Sequence, residues 1–233
     1  MAFSSVLSRL KGGLIVSCQA PADSPLYNPE IIAAIAEAAV LRGAIAVRID
    51  SPEHIAAVRR RVSVPIIGLW KQIIPGSEVY ITPQFHHARA VAEAGADVVA
   101  IDATTRPRPA AERLAELVSK IQADLQKPVM ADIDTLASAQ AAVDAGVDLL
   151  GTTLYGYTRD TENLEPPGFE LLSNLATKFS VPTICEGGIA SPQATSRAME
   201  LGAYSVVVGT AITGIDILVQ RYCDALSHSA SAT

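Results

Sequence analysis

Nearly continuous apolar runs of four to six residues recur along the chain, and segments with helical character separate them. Runs of this kind, which do not alternate with polar residues, are typical of strands buried on both faces of a parallel sheet. The eight runs cover residues 13–16, 44–49, 64–69, 97–101, 128–131, 148–151, 181–184 and 204–208. We therefore predict eight parallel strands.

Helix signals fill the intervals between these runs. An N-cap residue followed by proline occurs three times, at Asn28-Pro29, Ser51-Pro52 and Ser191-Pro192. Two further helices are predicted over residues 135–145 and 110–126. The phrases EAGAD, DAGVD and ELGAY each place a glycine where a helix ends, and the next apolar run begins at once. The repeat predicts alternating strands and helices.

Eight strand–helix units in 233 residues predict an α/β fold, a (β/α)8 TIM barrel that forms a single domain over residues 1–233 with a short N-terminal helix. The alternative is a doubly wound open sheet. That fold usually carries a glycine-rich dinucleotide turn after its first strand, and none is present here. The one long loop, residues 153–167, predicts an active-site cover.

Composition narrows the class of partner. Hydrophobic residues make up 49% of the chain, charged residues 18%, and the formal net charge is −6. This balance argues against nucleic acid or a membrane surface as partner. Three cysteines without paired spacing, no signal-peptide pattern and no apolar run of about 18 residues predict a reduced, cytoplasmic protein. The four histidines are expected at the surface, so no metal site is predicted.

Polar residues follow the apolar runs, where the carboxyl ends of barrel strands form one rim. Asp102 and Asp132 have a second interpretation, as loop caps or as ion-pair partners of Arg48. The rim residues, in strand order, are Gln19, Arg48, Lys71, Asp102, Asp132, Thr152 with Thr153, Glu186, and Gly209 with Thr210.

Lys71 and Glu186 follow the third and seventh strands, which lie opposite each other in a ring of eight. Two proton carriers on opposite faces of a ligand suit inversion at a carbon. Because such carriers work best with a pKa near the operating pH, we expect either a lowered pKa at Lys71 or a raised pKa at Glu186. Gly187-Gly188 and Gly209-Thr210 follow strands seven and eight, where barrels often bind phosphate through backbone N–H groups. The alternative for these pairs is ordinary tight turns.

Several longer motifs are more specific than the barrel pattern. They are KGGLIVSCQA (11–20), VRIDSPEHI (47–55), PIIGLWKQ (65–72), VYITPQ (79–84), AEAGADVVAIDATTRPRP (92–109), MADIDTL (130–136), GTTLYGYT (151–158), CEGGI (185–189) and LGAYSVVVGTAIT (201–213). With them the chain resembles the N-acylglucosamine-6-phosphate 2-epimerases, also called N-acetylmannosamine-6-phosphate 2-epimerases.

The resemblance implies a barrel enzyme of amino-sugar and sialic acid catabolism that acts on a small sugar phosphate at C2, without a required metal or organic cofactor. It implies that Lys71 and Glu186 carry the proton transfers. Oligomeric state stays open, with a homodimer as a candidate. By the same resemblance, the substrate-binding residues are Gln19, Arg48, Asp132, Thr153 and Tyr157, and the phosphate-binding residues are Gly187, Gly188, Gly209 and Thr210.

The chain departs from the family pattern at Asp50, Tyr155 and Gly188, where many members carry asparagine, serine and arginine, and near Gly214, where many carry arginine. We expect Tyr155 to narrow the site, and Arg106 or Arg108 to compensate for a missing phosphate contact or else to stiffen a loop. Two functions outside epimerisation remain as alternatives. One is a phosphate-binding lyase or synthase in which Lys71 forms a Schiff base, and the other is a non-catalytic sugar-phosphate sensor.

Overall fold

Eight parallel strands close into a ring in chain order, with β8 paired to β1, in the computed structural model, which describes residues 3–230. This confirms the predicted (β/α)8 barrel, and the open-sheet alternative is wrong. The strands are β1 (Leu14–Cys18), β2 (Ala46–Asp50), β3 (Ile66–Leu69), β4 (Val98–Asp102), β5 (Val129–Asp132), β6 (Leu149–Gly151), β7 (Thr183–Cys185) and β8 (Ser205–Val208).

Each predicted strand is present, but most begin one or two residues later than the apolar run suggests. Five of them also end one or two residues beyond it, at Cys18, Asp50, Asp102, Asp132 and Cys185. These last residues still pair with a neighbouring strand; Asp102, for example, is in register with Asp132. The barrel therefore carries charged side chains on the strands themselves as well as after them.

Helices cover the outside of the barrel, apart from α1, which precedes it. Side-chain caps form at the predicted residues Asn28, Ser51, Thr135 and Ser191. The helices are α1 (Ser4–Arg9), α2 (Pro29–Leu41), α3 (Pro52–Arg59), α4 (Phe85–Glu93), α5 (Leu114–Asp124), α6 (Leu136–Asp144), α7 (Phe169–Lys178), α8 (Pro192–Glu200), α9 (Thr210–Thr213) and α10 (Ile215–Ala230).

The prediction of a helix over residues 110–126 is wrong at its start, because α5 begins at Leu114. Residues 109–111 form a single 3₁₀ turn in which Ala110 has a φ of 54°. Pro107 and Pro109 disfavour helical backbone in the residues that precede them. Arg108 also donates to the carbonyl oxygens of Asp102 and Pro83, which holds this segment against the barrel rim.

The hydrophobic core has two layers. Inside the barrel, side chains such as Ile15, Ile67, Met130 and Ile184 fill the axis. A larger layer lies between strands and helices and includes Val47, Val99 and Leu150. Because the axis is packed with apolar side chains, open space is confined to the end of the barrel where the strands finish. Within residues 3–230, no helix is long and apolar enough to cross a membrane.

Candidate active site

A cavity of about 680 Å³ lies at the carboxyl ends of the strands. Arg48 and Asp132 are buried in its floor, with exposed fractions of 2% and 0%. The other predicted site residues all line it: Gln19, Lys71, Thr153, Tyr157, Glu186, Gly187, Gly188, Gly209 and Thr210. The structure therefore brings all eleven predicted residues to one place.

A buried arginine joins two carboxylates beneath the cavity. Arg48 donates to both carboxylate oxygens of Asp132, at 3.1 Å and 2.6 Å. Its Nη1 also lies 3.1 Å from Glu186 Oε2. The alternative interpretation of Asp132 as an ion-pair partner of Arg48 is thus confirmed. One cation between two acids offsets only one negative charge when both acids are ionised, which disfavours the second ionisation.

This environment acts on Glu186, which is almost fully buried. The pKa of Glu186 is raised to about 7: burial raises it most, the charge of Arg48 opposes the shift, and the nearby charge of Asp132 adds to it. A carboxyl group with this pKa exists in both protonation states near neutrality. Glu186 is therefore suited both to remove and to deliver a proton, as expected from the sequence.

Two threonines at the end of β6 hold Glu186 in place. The hydroxyl of Thr152 donates to the Glu186 carbonyl at 2.8 Å and accepts from the Glu186 N–H at 3.0 Å. The hydroxyl of Thr153 lies 2.6 Å from Asp132 Oδ1 and 3.2 Å from Glu186 Oε2. Since a hydroxyl has one hydrogen, Thr153 donates to one acid at a time, and the shorter contact favours Asp132.

Lys71 reaches the cavity from the opposite side of the ring, just after β3. Its Nζ donates to Gln19 Oε1 at 2.6 Å, and Gln19 Nε2 donates to Ser17 Oγ at 2.9 Å. The Lys71 backbone N–H donates to Asp50 Oδ1 at 3.0 Å, and Asp50 Oδ2 lies 3.9 Å from Nζ. The side chain of Lys71 is 45% exposed, against 11% for Glu186. Lys71 is thus held by neighbours yet open to solvent.

Lys71 and Glu186 face a common space. Both line the cavity, and their strands β3 and β7 are four apart in the closed ring of eight. The charge of Lys71 also acts on Glu186, where it favours the carboxylate and so lowers the carboxyl pKa. A ligand held between them would present one face to an amine and the other to a carboxyl group.

Gly187-Gly188 after β7 and Gly209-Thr210 after β8 form the wall beside Glu186. Gly188 has a φ of 69°, and a Cβ added there would lie 2.5 Å from Pro166 Cβ and 2.7 Å from the Pro166 carbonyl carbon. Only glycine fits this backbone while the loop after β6 stays in position. Backbone groups, rather than side chains, are therefore presented to the cavity by Gly187 and Gly188.

Some expectations from the sequence are wrong. Neither Arg106 nor Arg108 lines the cavity, so neither supplies the missing phosphate contact. Arg106 pairs with Asp102 at 2.7 Å and Arg108 binds backbone carbonyls, which agrees with the alternative that they stiffen a loop. Asp102 therefore pairs with Arg106 and not with Arg48. Tyr155 packs beside Gly168 and the outer core, so it does not narrow the site.

The prediction that the histidines lie at the surface is wrong for His54 and His87, which are 3% and 6% exposed. His54 packs edge-on against Tyr27, and its Nδ1 lies 3.2 Å from the carbonyl oxygen of Asp50. Both residues are on amphipathic helices, where facing the core outweighs the polarity of the ring. Among residues 3–230, no three acidic, histidine or cysteine side chains are grouped to hold a metal ion.

Ser17, Asp50 and Thr152 take part in the site although they were not among the predicted site residues: Thr152 was placed only on the rim, Asp50 was noted only as a departure from the family pattern, and Ser17 was not singled out. Each contacts a predicted residue, Ser17 also lines the cavity, and these contacts depend on strand register. The pairing of Ser17 with Arg48 across β1 and β2 is an example. The available signal was their position at a strand end, which Ser17, Asp50 and Thr152 share with the predicted residues.

Comparisons with known proteins identify the family of the chain. The sequence profile of the family described as "Putative N-acetylmannosamine-6-phosphate epimerase" matches residues 32–228. A protein of Thermosynechococcus vestitus named "Putative N-acetylmannosamine-6-phosphate 2-epimerase" is 61% identical over 222 residues, which cover 95% of this chain and 96% of the relative. A protein of the same name from Synechococcus elongatus is 60% identical over 223 residues, with the same coverage.

Solved structures give the same result. The N-acetylmannosamine-6-phosphate 2-epimerase from Clostridium perfringens aligns with a TM-score of 0.90 at 38% identity, covering 94% of this chain and 95% of that one. A thiamine phosphate pyrophosphorylase from Pyrococcus furiosus aligns with a TM-score of 0.61 at 18% identity over 90% of each chain, a likeness of fold alone. The chain therefore belongs to the N-acetylmannosamine-6-phosphate 2-epimerase family.

Proposed function

We propose that this protein interconverts N-acetylmannosamine 6-phosphate and N-acetylglucosamine 6-phosphate by proton transfer at C2, as a step of amino-sugar catabolism. The observation that carries the proposal is the placement of Lys71 and Glu186 on opposite sides of one cavity in a chain of this family. Inversion at C2 requires that a proton leave one face of the carbon and another arrive on the opposite face.

In the open-chain aldehyde, C2 lies next to a carbonyl group, which acidifies its C–H bond. For one epimer, the Glu186 carboxylate removes the C2 proton to give an enolate, and the Lys71 ammonium delivers a proton to the other face. For the other epimer, neutral Lys71 removes the proton and the Glu186 carboxylic acid delivers one. The two groups exchange roles with the direction of reaction, so the forward step leaves them in the states that the reverse step needs.

The floor of the site supports this chemistry through position and charge. Arg48 binds Asp132 and Glu186 from below, so we propose that it orients the acids rather than contacting the enolate oxygen directly. Gln19 and Thr153 line the cavity beside Lys71 and Glu186 and would bind sugar oxygens. Asp132 would hold Thr153, its shorter hydrogen-bond partner, in the position for this contact.

We propose that the 6-phosphate binds along the wall made by Gly187, Gly188, Gly209 and Thr210, with Tyr157 beside it. Glycine backbone allows N–H groups to approach an anion closely without a large side chain between. This arrangement uses no side-chain cation at residue 188, where the position of Pro166 excludes one. The proposed reaction uses protein acids and bases alone, with no metal or organic cofactor.

The experiment that tests the function is proton NMR of N-acetylmannosamine 6-phosphate with the protein in D₂O. We expect deuterium at C2 together with the appearance of the gluco epimer. A lyase acting through a Schiff base at Lys71 would instead cleave the sugar and be trapped by borohydride. A sensor would bind the sugar phosphate and leave the C2 proton in place. Either result would overturn the proposal.

We also propose that the protein is a homodimer and that it resides in the cytoplasm. Helix α10 places four large apolar side chains at helical spacing on one exposed stripe: Ile215, Val219, Tyr222 and Leu226. An exposed stripe of this size marks an interaction surface, and a second copy of the chain would cover it. Sedimentation of the wild type and of Leu226→Glu tests the dimer.

The three unpaired cysteines support the proposed location, because free thiols are typical of a reducing compartment.

A further inference from the structure

A chain of buried hydrogen bonds connects the loop after β6 to the loop after β5. The Gly156 N–H donates to Thr161 Oγ1 at 3.0 Å, and Thr161 Oγ1 lies 2.9 Å from Thr158 Oγ1. Thr158 Oγ1 then donates to Asp134 Oδ2 at 2.7 Å. Thr158 and Asp134 are separated by 24 positions along the chain, so this contact joins two different active-site loops.

The direction of every bond in this chain follows from the number of hydrogens available. A carboxylate only accepts, so the single hydrogen of Thr158 goes to Asp134. The Thr161 hydroxyl has two acceptors within reach, Thr158 Oγ1 at 2.9 Å and the Leu154 carbonyl at 3.5 Å, and the shorter contact favours donation to Thr158. A lone pair of Thr161 accepts the Gly156 N–H. All three bonds run the same way and end on a negative charge, an arrangement in which each bond strengthens the next.

This series of hydrogen bonds is costly to break because the side chains that form it are buried. Asp134, Thr158 and Thr161 are 2%, 3% and 2% exposed. In the part of the chain that the structure describes, Asp134 has no ion-pair partner, and its other oxygen, Oδ1, accepts from Ser138 Oγ at 2.6 Å. Hydroxyl donors alone therefore satisfy this carboxylate, and the loss of one leaves a buried charge short of a partner.

These hydrogen bonds hold the residues on either side of Tyr157. Gly156 is bound through its N–H and Thr158 through its hydroxyl, while the Tyr157 N–H donates to the Leu154 carbonyl at 3.0 Å. The Tyr157 side chain lines the cavity near Gly187, yet the residue is 57% exposed. Packing around the ring is thus sparse, and the backbone beneath it sets the position of the ring.

We propose that Asp134, Thr158 and Thr161 are positioning residues that hold Tyr157 over the phosphate side of the cavity before substrate arrives. The proposal rests on the proposed function for the identity of the ligand, but not for the order of the loop. Binding costs less entropy when the Tyr157 side chain is already in place. The hydrogen bonds of Asp134, Thr158 and Thr161 therefore raise the affinity for the sugar phosphate. Lys71 and Glu186, which are held by other contacts, keep their geometry.

Thr158→Val and Thr158→Ser form a matched pair for the test. Valine keeps the shape and removes the hydrogen bonds, so we expect KM for N-acetylmannosamine 6-phosphate to rise about tenfold with kcat within about threefold. Serine keeps the hydroxyl and should restore KM. Thr177→Val, on the exposed surface of α7, serves as the control and should change neither constant.

A double-mutant cycle asks whether Thr158 acts through Tyr157. In a Tyr157→Ala background the ring is absent, so Thr158→Val should no longer change KM. An undiminished effect of Thr158→Val in that background would overturn the proposal, because Thr158 would then act on the site by another route. Equal KM values for the valine and serine variants would overturn it as well.

Amide hydrogen exchange of the ligand-free protein provides a readout that does not need activity. We expect faster exchange in residues 152–168 for Thr158→Val, and wild-type exchange for Thr158→Ser. Unchanged exchange in the valine variant would overturn the proposal even if the enzyme is active. Faster exchange in a protein that proves inactive would uphold the loop order and refute only the proposed function. If Thr158→Val does not fold, Thr161→Ala and Thr161→Ser repeat the comparison.

Discussion

Lys71 Nζ lies 2.6 Å from Gln19 Oε1 at the solvent side of the cavity, whereas Glu186 Oε2 lies 3.1 Å from the Arg48 guanidinium at its buried floor. The two proposed proton carriers therefore differ in surroundings as well as in chemistry. A neutral amide holds the amine, and an ion pair holds the acid. This difference allows the roles of Lys71 and Glu186 to be separated by experiment.

Removal of one proton carrier should leave half of the reaction. In Lys71→Met, Glu186 still reaches one face of C2, so the epimer that presents its C–H to Glu186 should exchange deuterium without inversion. The other epimer should not exchange. In Glu186→Gln the result should be reversed, because Lys71 reaches the opposite face: the epimer that is inert in Lys71→Met should exchange deuterium, and the other should not. Proton NMR of each epimer in D₂O measures this, and exchange of the same epimer in both variants would contradict the two-sided mechanism.

The buried carboxyl group should make stability depend on pH. Its folded pKa, raised by burial to about 7, lies above the ordinary value of 4.5. Glu186 therefore contributes stability that is fully present below pH 4.5 and lost as pH rises through 7. Glu186→Gln has no such loss, so its free energy of unfolding relative to the wild type should increase by roughly 3 kcal/mol across this range.

Urea denaturation of both proteins at intervals between pH 4.5 and 8 measures this difference. Glu200→Gln, on the exposed end of α8, is the control and should follow the wild type. Parallel curves for the wild type and Glu186→Gln would show that Glu186 titrates at the same pH in the folded and unfolded states.

Asp50 should affect kcat by holding the backbone of Lys71. Asp50→Ala removes the acceptor of the Lys71 N–H, which loosens the strand end that carries the amine. We expect kcat to fall about tenfold with little change in KM, since the affinity for the phosphate is set on the other side of the cavity. Asp50→Asn keeps an oxygen acceptor and should retain kcat within about threefold. A loss as large for asparagine as for alanine would assign the effect to charge instead.

Glycine at residue 188 should be required because of the loop above it. Gly188→Ala places a Cβ against Pro166 at a positive φ, so we expect a displaced loop and a KM at least about tenfold higher. Gly146→Ala is the matched control: its φ is 85°, but an added Cβ meets no atom within 4 Å. It should lose about 1 kcal/mol of stability and keep its kinetic constants. Normal KM in Gly188→Ala would refute the close contact.

The fold could be predicted from the sequence because its signals are local. Apolar runs identified eight strands, and the residues Asn28, Ser51, Thr135 and Ser191 marked helix starts that form as expected. Strand ends were less accurate, since the final residue of β5, Asp132, is charged and lies outside the apolar run. Its charge is tolerated there because Arg48 pairs with it inside the barrel.

From the sequence, the site could be predicted only as a set of residues at the carboxyl ends of the strands, without the contacts between them. The rule that chemistry lies at the carboxyl ends of strands selected Lys71 and Glu186, and the structure places both at one cavity. The contacts among rim residues could not be predicted, because they depend on twist and on long-range register. For example, Arg48 contacts Asp132 and Glu186, which lie 84 or more positions further along the chain. The contact between Asp134 and Thr158 is a second example.

The contrast between the half-exposed amine and the enclosed carboxyl has a kinetic consequence. Hydrogen abstracted by Lys71 joins two others on a group open to water, so an isotopic label taken up there is diluted and then washes out quickly. Hydrogen abstracted by Glu186 occupies a single position with little access to solvent, and its residence time is correspondingly longer. After abstraction from C2, a label is therefore expected to reach the solvent faster from Lys71 than from Glu186, so the two epimers should release their label at different rates.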